Sequence, residues 1–167
     1  MKKGFTMIEL IFVIVILGIL ASVAIPRLAA TREDAEISAT VANLRTLVSD
    51  ASAYYTVKGT LTGANWSAIT NVPLGSATNG VTTEVKLKAG GKDCIKVQLV
   101  EKNGATPAHI KFTKDTAANS AGVCKTVVES TPVKAYLDST LPGETGTGDT
   151  NKGKIAIGSS TSVYQTK

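Results

Sequence analysis

From Phe5 to Ile25 the chain is apolar almost without interruption, and Glu9 is the sole charge between Lys3 and Arg27. Those 21 residues, coiled as a helix with a rise of about 1.5 Å each, reach roughly 31 Å, close to the hydrocarbon thickness of a bilayer. Past Pro26 the pattern changes. Ile37, Val41, Leu44, Val48, Ala51 and Tyr55 are spaced alternately four and three apart, which is one stripe on an α-helix. Arg32, Glu33, Asp34, Glu36, Asn43, Arg45 and Asp50 occupy the opposite face. Lys58-Gly59 reads as a last-turn cation followed by a glycine cap. The pattern therefore predicts one helix from about Phe5 to about Lys58, roughly 80 Å long if straight. Gly18 and Pro26 weaken it by about 1 and about 3 kcal/mol. The stretch between them is expected to be its soft part.

The Thr-, Asn-, Gly- and Ser-rich stretch from Gly59 to Gly80 reads as a connecting loop, with Trp66 and Ile69 as its anchors on the core. Beyond it the period falls to two. Val81, Thr83, Val85 and Leu87 alternate with Thr82, Glu84, Lys86 and Lys88, and Ile95, Val97 and Leu99 alternate with Lys96 and Gln98. Gly90-Gly91 turns the chain, and Asn103-Gly104 is a hairpin signal. His109–Thr113 predicts the next strand and Cys124–Val128 a weaker fourth. The stripe lasts under three heptads, too short for a coiled-coil seam. It needs a cover and so does the sheet, which predicts an α+β fold in which one long helix packs its second half on an antiparallel sheet.

Composition narrows the function. Of the first 25 residues 18 are apolar, and the rest of the chain is polar with few aromatics. One His and two Cys in 167 residues leave no material for a His/Cys metal cage. The net charge of +5 is spread along the chain, with no Lys/Arg run to mark a nucleic-acid footprint. These features argue against a metalloenzyme and against a large buried catalytic pocket.

The N-terminus has two readings. As an ordinary secretory signal, Lys2 and Lys3 form the basic region, Leu10–Leu20 the apolar region and Ser22-Val23-Ala24 a cleavage site. The product is then a periplasmic or secreted binding protein. Against this, a carboxylate at Glu9 is costly at bilayer depth, at about 2–3 kcal/mol. The apolar run also continues into the amphipathic helix. The order basic leader, Gly4, Phe5, Glu9 and uninterrupted apolar run resembles type IV pilins and the related type II secretion pseudopilins. The resemblance is close over roughly the first 30 residues and loose along the following helix.

That resemblance implies cleavage between Gly4 and Phe5 by a prepilin peptidase and N-methylation of Phe5. It implies pairing of the Glu9 carboxylate with the Phe5 amine of a neighbouring subunit. A single-pass bacterial inner-membrane precursor would then polymerise with copies of itself, through an assembly platform and minor pilins, into a periplasmic or extracellular filament. The reading is structural, not enzymatic. Its divisions are a leader at 1–4, a membrane and assembly helix at 5–26, an amphipathic half at 27–58 and a sheet domain at 59–167. The machine is a type IV pilus, a type II secretion pseudopilus or a DNA-uptake pilus, and nucleic acid is a partner in the last alone. The chain's size and intact Glu9 favour a major subunit.

The remaining candidates are weaker. In an exported domain Cys94 and Cys124 should form a disulfide, closing a loop of about 31 residues. Gly148–Lys154 has the spacing of a phosphate-binding loop. However, Ile155 stands where that loop needs Ser or Thr, and too little chain follows for the required helix and sheet. Asp138, Glu144 and Asp149, in the glycine-rich stretch 138–154, supply oxygen ligands of the kind calcium takes, without a recognised ligand motif. Apart from calcium no cofactor is expected. His109 has no second His beside it and reads as a surface or edge residue. Asn65-Trp66-Ser67 matches a glycosylation sequon by three residues alone.

Overall fold

A computed structural model describes residues 4–75, 80–116, 122–142 and 151–158. The chain divides into two compact units, Met1–Ala35 and Glu36–Lys167. The first is the N-terminal part of helix α1 (Met7–Lys58). α1 passes through Gly18 and Pro26 without interruption, although Pro26 has no N–H to offer the Ser22 carbonyl. Within this unit the Ser22 hydroxyl donates to the Ile19 carbonyl and the Thr31 hydroxyl to the Leu28 carbonyl. Both small polar side chains are thus satisfied on their own helix.

The second unit is an α+β domain. Its elements are the rest of α1, α2 (Trp66–Ile69), β1 (Leu74–Gly75), β2 (Val85–Ala89), β3 (Lys92–Val100), β4 (His109–Lys114), α3 (Val123–Glu129), α4 (Thr131–Leu137) and β5 (Lys154–Ala156). The strands form one antiparallel meander in the order β1-β2-β3-β4-β5. Register puts Val97 opposite Val85 and Phe112, and Ile110 opposite Leu99 and Ile155, all buried on one face. Lys86, Lys96 and Thr113 line up on the other face, as do Gln98, Lys111 and Lys154. The buried face shares a core with Leu44, Leu47 and Ala51 of α1 and with Val127, Val133 and Tyr136 of α3 and α4. Each such aliphatic side chain contributes about 1.5–3 kcal/mol by leaving water. Phe112 meets Tyr136 edge to face, ring centroids 6.0 Å apart. The helix ends where the cap requires: Gly59 has φ +69°, and its N–H bonds the Tyr55 carbonyl.

Four expectations need correction. The strand expected from Val81 begins at Val85. Gly80, with φ +108°, turns the chain, and Val81 is buried as a loop residue tied to Ala64 and Leu99. The strand expected at Cys124–Val128 is helix α3. Its buried residues Cys124, Val127 and Val128 are spaced three and four apart, which is a helical period hidden by β-branched composition. The loop from Gly59 to Gly80 contains α2 and β1, with Trp66 and Ile69 buried in the core. Finally, His109 lies on β4 between β3 and β5 and is buried, so it is neither a surface nor an edge residue.

Candidate functional site

The site that the N-terminal sequence singles out begins at Gly4. Phe5 is 88% exposed, and every large apolar residue from Met7 to Leu28 outside the core is also exposed. A helix apolar on all sides, with its backbone bonded internally, suits a hydrocarbon surround. By length and composition α1 is long and apolar enough to cross a membrane.

At the head of that surface, Thr6 and Glu9 form a reciprocal cap. The Thr6 backbone N–H and hydroxyl donate to Glu9 Oε2 at 2.8 and 2.6 Å, and the Glu9 N–H lies 3.3 Å from Thr6 Oγ1. This is a capping box, and it satisfies donors that the first helical turn leaves open. The carboxylate is therefore held beside the start of the helix, on Thr6, the residue that follows Phe5. Thr6 escaped the sequence reading, although Thr followed three positions later by Glu ahead of an apolar run is the signal for it.

In the second unit, Cys94 of β3 is bonded to Cys124 of α3, with their Cα atoms 5.2 Å apart. Beside it on the sheet is a charge cluster. Lys86 Nζ lies 3.3 Å from Asp115 Oδ2 and 3.6 Å from Asp93 Oδ2. Asp115 is buried, and its N–H bonds the Cys94 carbonyl. Hydrogen bonding to Asp115, then that residue's charge, holds the Lys86 ammonium above its ordinary 10.5. A cation with a raised value stabilises the fold at neutral pH and loses that contribution as pH climbs through the raised value. We expect thermal stability to fall more steeply above about pH 10.5 in the parent than in Lys86→Met. Parallel melting curves of the two proteins check it, and superimposable alkaline limbs would refute it.

The other candidates do not converge. Asp138 is paired with Lys152 at 3.5 Å, while Glu144 and Asp149 lie outside the described residues. Among the described residues no three acidic, His or Cys side chains gather as a metal site. Of the stretch 148–154, residues 148–150 lie outside the described residues, Gly153 precedes β5 and Lys154 opens it. Gly153 has φ +73° and accepts a hydrogen bond from Phe112 N–H at 2.7 Å, and a Cβ there would collide with the Phe112 carbonyl. The glycine therefore serves the sheet. His109 Nδ1 is 2.9 Å from the Pro107 carbonyl. Glu36, read as a solvent-face residue, accepts from Gly90 N–H at 2.9 Å and ties α1 to the β2–β3 turn.

Residues 1–25 match the family model described as the prokaryotic N-terminal methylation motif, the hallmark of type IV pilins and pseudopilins. No solved structure matches the chain.

Proposed function

We infer that the protein is the structural subunit of a type IV pilus-like or pseudopilus filament, polymerised through its N-terminal helix. The observation that carries this is the methylation motif at residues 1–25, lying on a helix that exposes apolar side chains on all sides. On this reading Met1–Gly4 is a leader, cut between Gly4 and Phe5 by a prepilin peptidase, which also methylates the Phe5 amine. The precursor sits in the bacterial inner membrane with its apolar half as a single span. Subunits leave the bilayer by trading lipid for one another's apolar helices, assisted by an assembly platform and minor pilins. Head-to-tail contacts that do not close give a filament rather than a ring. Glu9 pairs with the Phe5 amine of a neighbouring subunit, and the Thr6–Glu9 cap supports this by presenting the carboxylate at the helix head.

Mass measurement of the assembled protein tests the reading. The expected species lacks Met1–Gly4 and carries one methyl group on Phe5. A mature chain that begins near Ile25 would instead identify a secreted protein with an ordinary signal, and a chain that retains Met1–Gly4 would exclude the processing step.

A further inference from the structure

In the Met1–Ala35 unit one charged side chain stands inside an apolar run. Arg27 is exposed on α1, and the sequence continues past it through Leu28, Ala29 and Ala30 before the next charge, Arg32. Its own helix gives Arg27 no counter-charge, because the positions three and four away are Val23, Ala24, Ala30 and Thr31. Among the described residues no ion pair includes it. The polar side chains around it make no such demand on their surroundings. The hydroxyls of Ser22 and Thr31 already donate to carbonyls of α1. From Leu10 to Thr31, Arg27 is therefore the one side chain whose polar group the helix leaves unsatisfied and hydrocarbon cannot solvate.

We propose that Arg27 binds a phospholipid head-group phosphate at the membrane face opposite the Gly4–Phe5 bond, and so fixes where the span ends. This rests on the membrane reading of α1 and adds the ligand that sets its depth. Charge, shape and distance select that partner. A guanidinium is a fork of donors that matches phosphate oxygens. An arginine at the end of a span extends out of the hydrocarbon to the head groups. Arg27 is 22 residues from Phe5, or about 33 Å along α1, so holding it at one edge of the hydrocarbon leaves Phe5 at the other. Without Arg27 the apolar run would reach Ala30, and the next cation, Arg32, lies about 7.5 Å further along the axis. The segment would then exceed the hydrocarbon thickness and would slide or tilt to bury the excess.

The experiment places the full chain, isotope-labelled at arginine, in bilayers of phosphatidylcholine and phosphatidylglycerol. Solid-state NMR then reads the contact between guanidinium carbon and lipid phosphorus. Arg27, Arg32 and Arg45 are the arginines of the chain, so single replacements assign the signal. Arg27→Lys should cut the guanidinium–phosphorus contact at least about threefold, whereas Arg32→Lys and Arg45→Lys should each leave most of it. A spin label on Ala30→Cys reads depth in the same bilayers, since Cys94 and Cys124 are bonded to each other. Arg27→Leu should draw that label inward by about 4 Å, half of the added run, and Arg27→Lys should hold it in place. No phosphorus contact in the parent, a contact undiminished in Arg27→Lys, or an unmoved label in Arg27→Leu would overturn the proposal. A parent chain that alkaline carbonate strips from the bilayer would overturn the membrane reading beneath it.

Discussion

Glu9→Gln is expected to abolish filaments while leaving the subunit folded, inserted and cleaved. The structure gives this substitution a resolving power that Glu9→Leu lacks. Glu9 closes a capping box with Thr6, and Gln at the same position can close it too, because an amide oxygen also accepts from the Thr6 N–H and hydroxyl. Loss of the cap, as in Glu9→Leu, costs about 1 kcal/mol. Loss of the negative charge acts elsewhere. In a filament interior each Phe5 amine would be buried without its counter-charge, and breaking a buried pair by removing one partner costs about 3–5 kcal/mol. That cost recurs at every subunit. Insertion should not suffer, because either variant makes the segment less costly to place in lipid. Cleavage should persist, because Gly4 and Phe5 are untouched. Electron microscopy of sheared preparations, with an immunoblot for the processed subunit, reads both effects. If Glu9 acted as a cap alone, Glu9→Gln would make filaments in normal numbers and Glu9→Leu would lose few.

The parts of this fold that were legible in the sequence are those in which one period persists over many residues. The stripe Ile37–Tyr55 predicted the amphipathic half of α1, and that half delivers Leu44 and Ala51 to the core. Lys58-Gly59 marked its end to the residue. The long strands β3 and β4 announced themselves by alternation. Short elements were not legible. α3 and α4 have seven residues each, less than two full turns, so their buried positions amount to three apiece. Three apolar residues with Val among them fit a strand as well as a helix. Tertiary packing decides, through the disulfide for α3 and through Phe112 for α4.

The candidate site followed the same rule. Its linear part, Gly4-Phe5 with Glu9 and the apolar run, lies in consecutive residues and was readable. Cys94 and Cys124 were readable because no other cysteines compete with them. The Lys86–Asp115–Asp93 cluster was invisible, because its members come from three places, β2, β3 and the residue just past β4, that meet only in the folded sheet. His109 misled for a related reason. A lone polar residue near a proline looks exposed, but the pairing of β5 with β4 makes an internal strand of what the sequence left at an edge. Nothing in residues 154–156 taken alone says that they will pair there.

Removing the Cys94–Cys124 bond should produce the largest loss of stability in the globular unit. The bond joins positions 30 apart, and closing a loop of that size stabilises by roughly 3–4 kcal/mol on the chain-entropy view. It also carries a structural task. α3 has no side-chain cap at Gly122 and is only seven residues long, so it has little stability of its own. Its attachment to the sheet depends on Cys124, Val127 and Val128. Both cysteines are buried, so Cys→Ser would add a buried hydroxyl to the loss, and the double Cys94→Ala/Cys124→Ala variant is the cleaner comparison. For a unit of this size the expected fall in thermal midpoint is about 10–20 °C, measured on the full chain in detergent. Reductant should lower the parent toward the variant and leave the variant unmoved. Cleavage after Gly4 should proceed as before, because the cut precedes the apolar segment and needs nothing from the sheet. Alkylation of both thiols in the native, unreduced protein would show that the bond is absent and remove the premise. A double-alanine variant that melts with the parent would show that the core alone holds α3 in place.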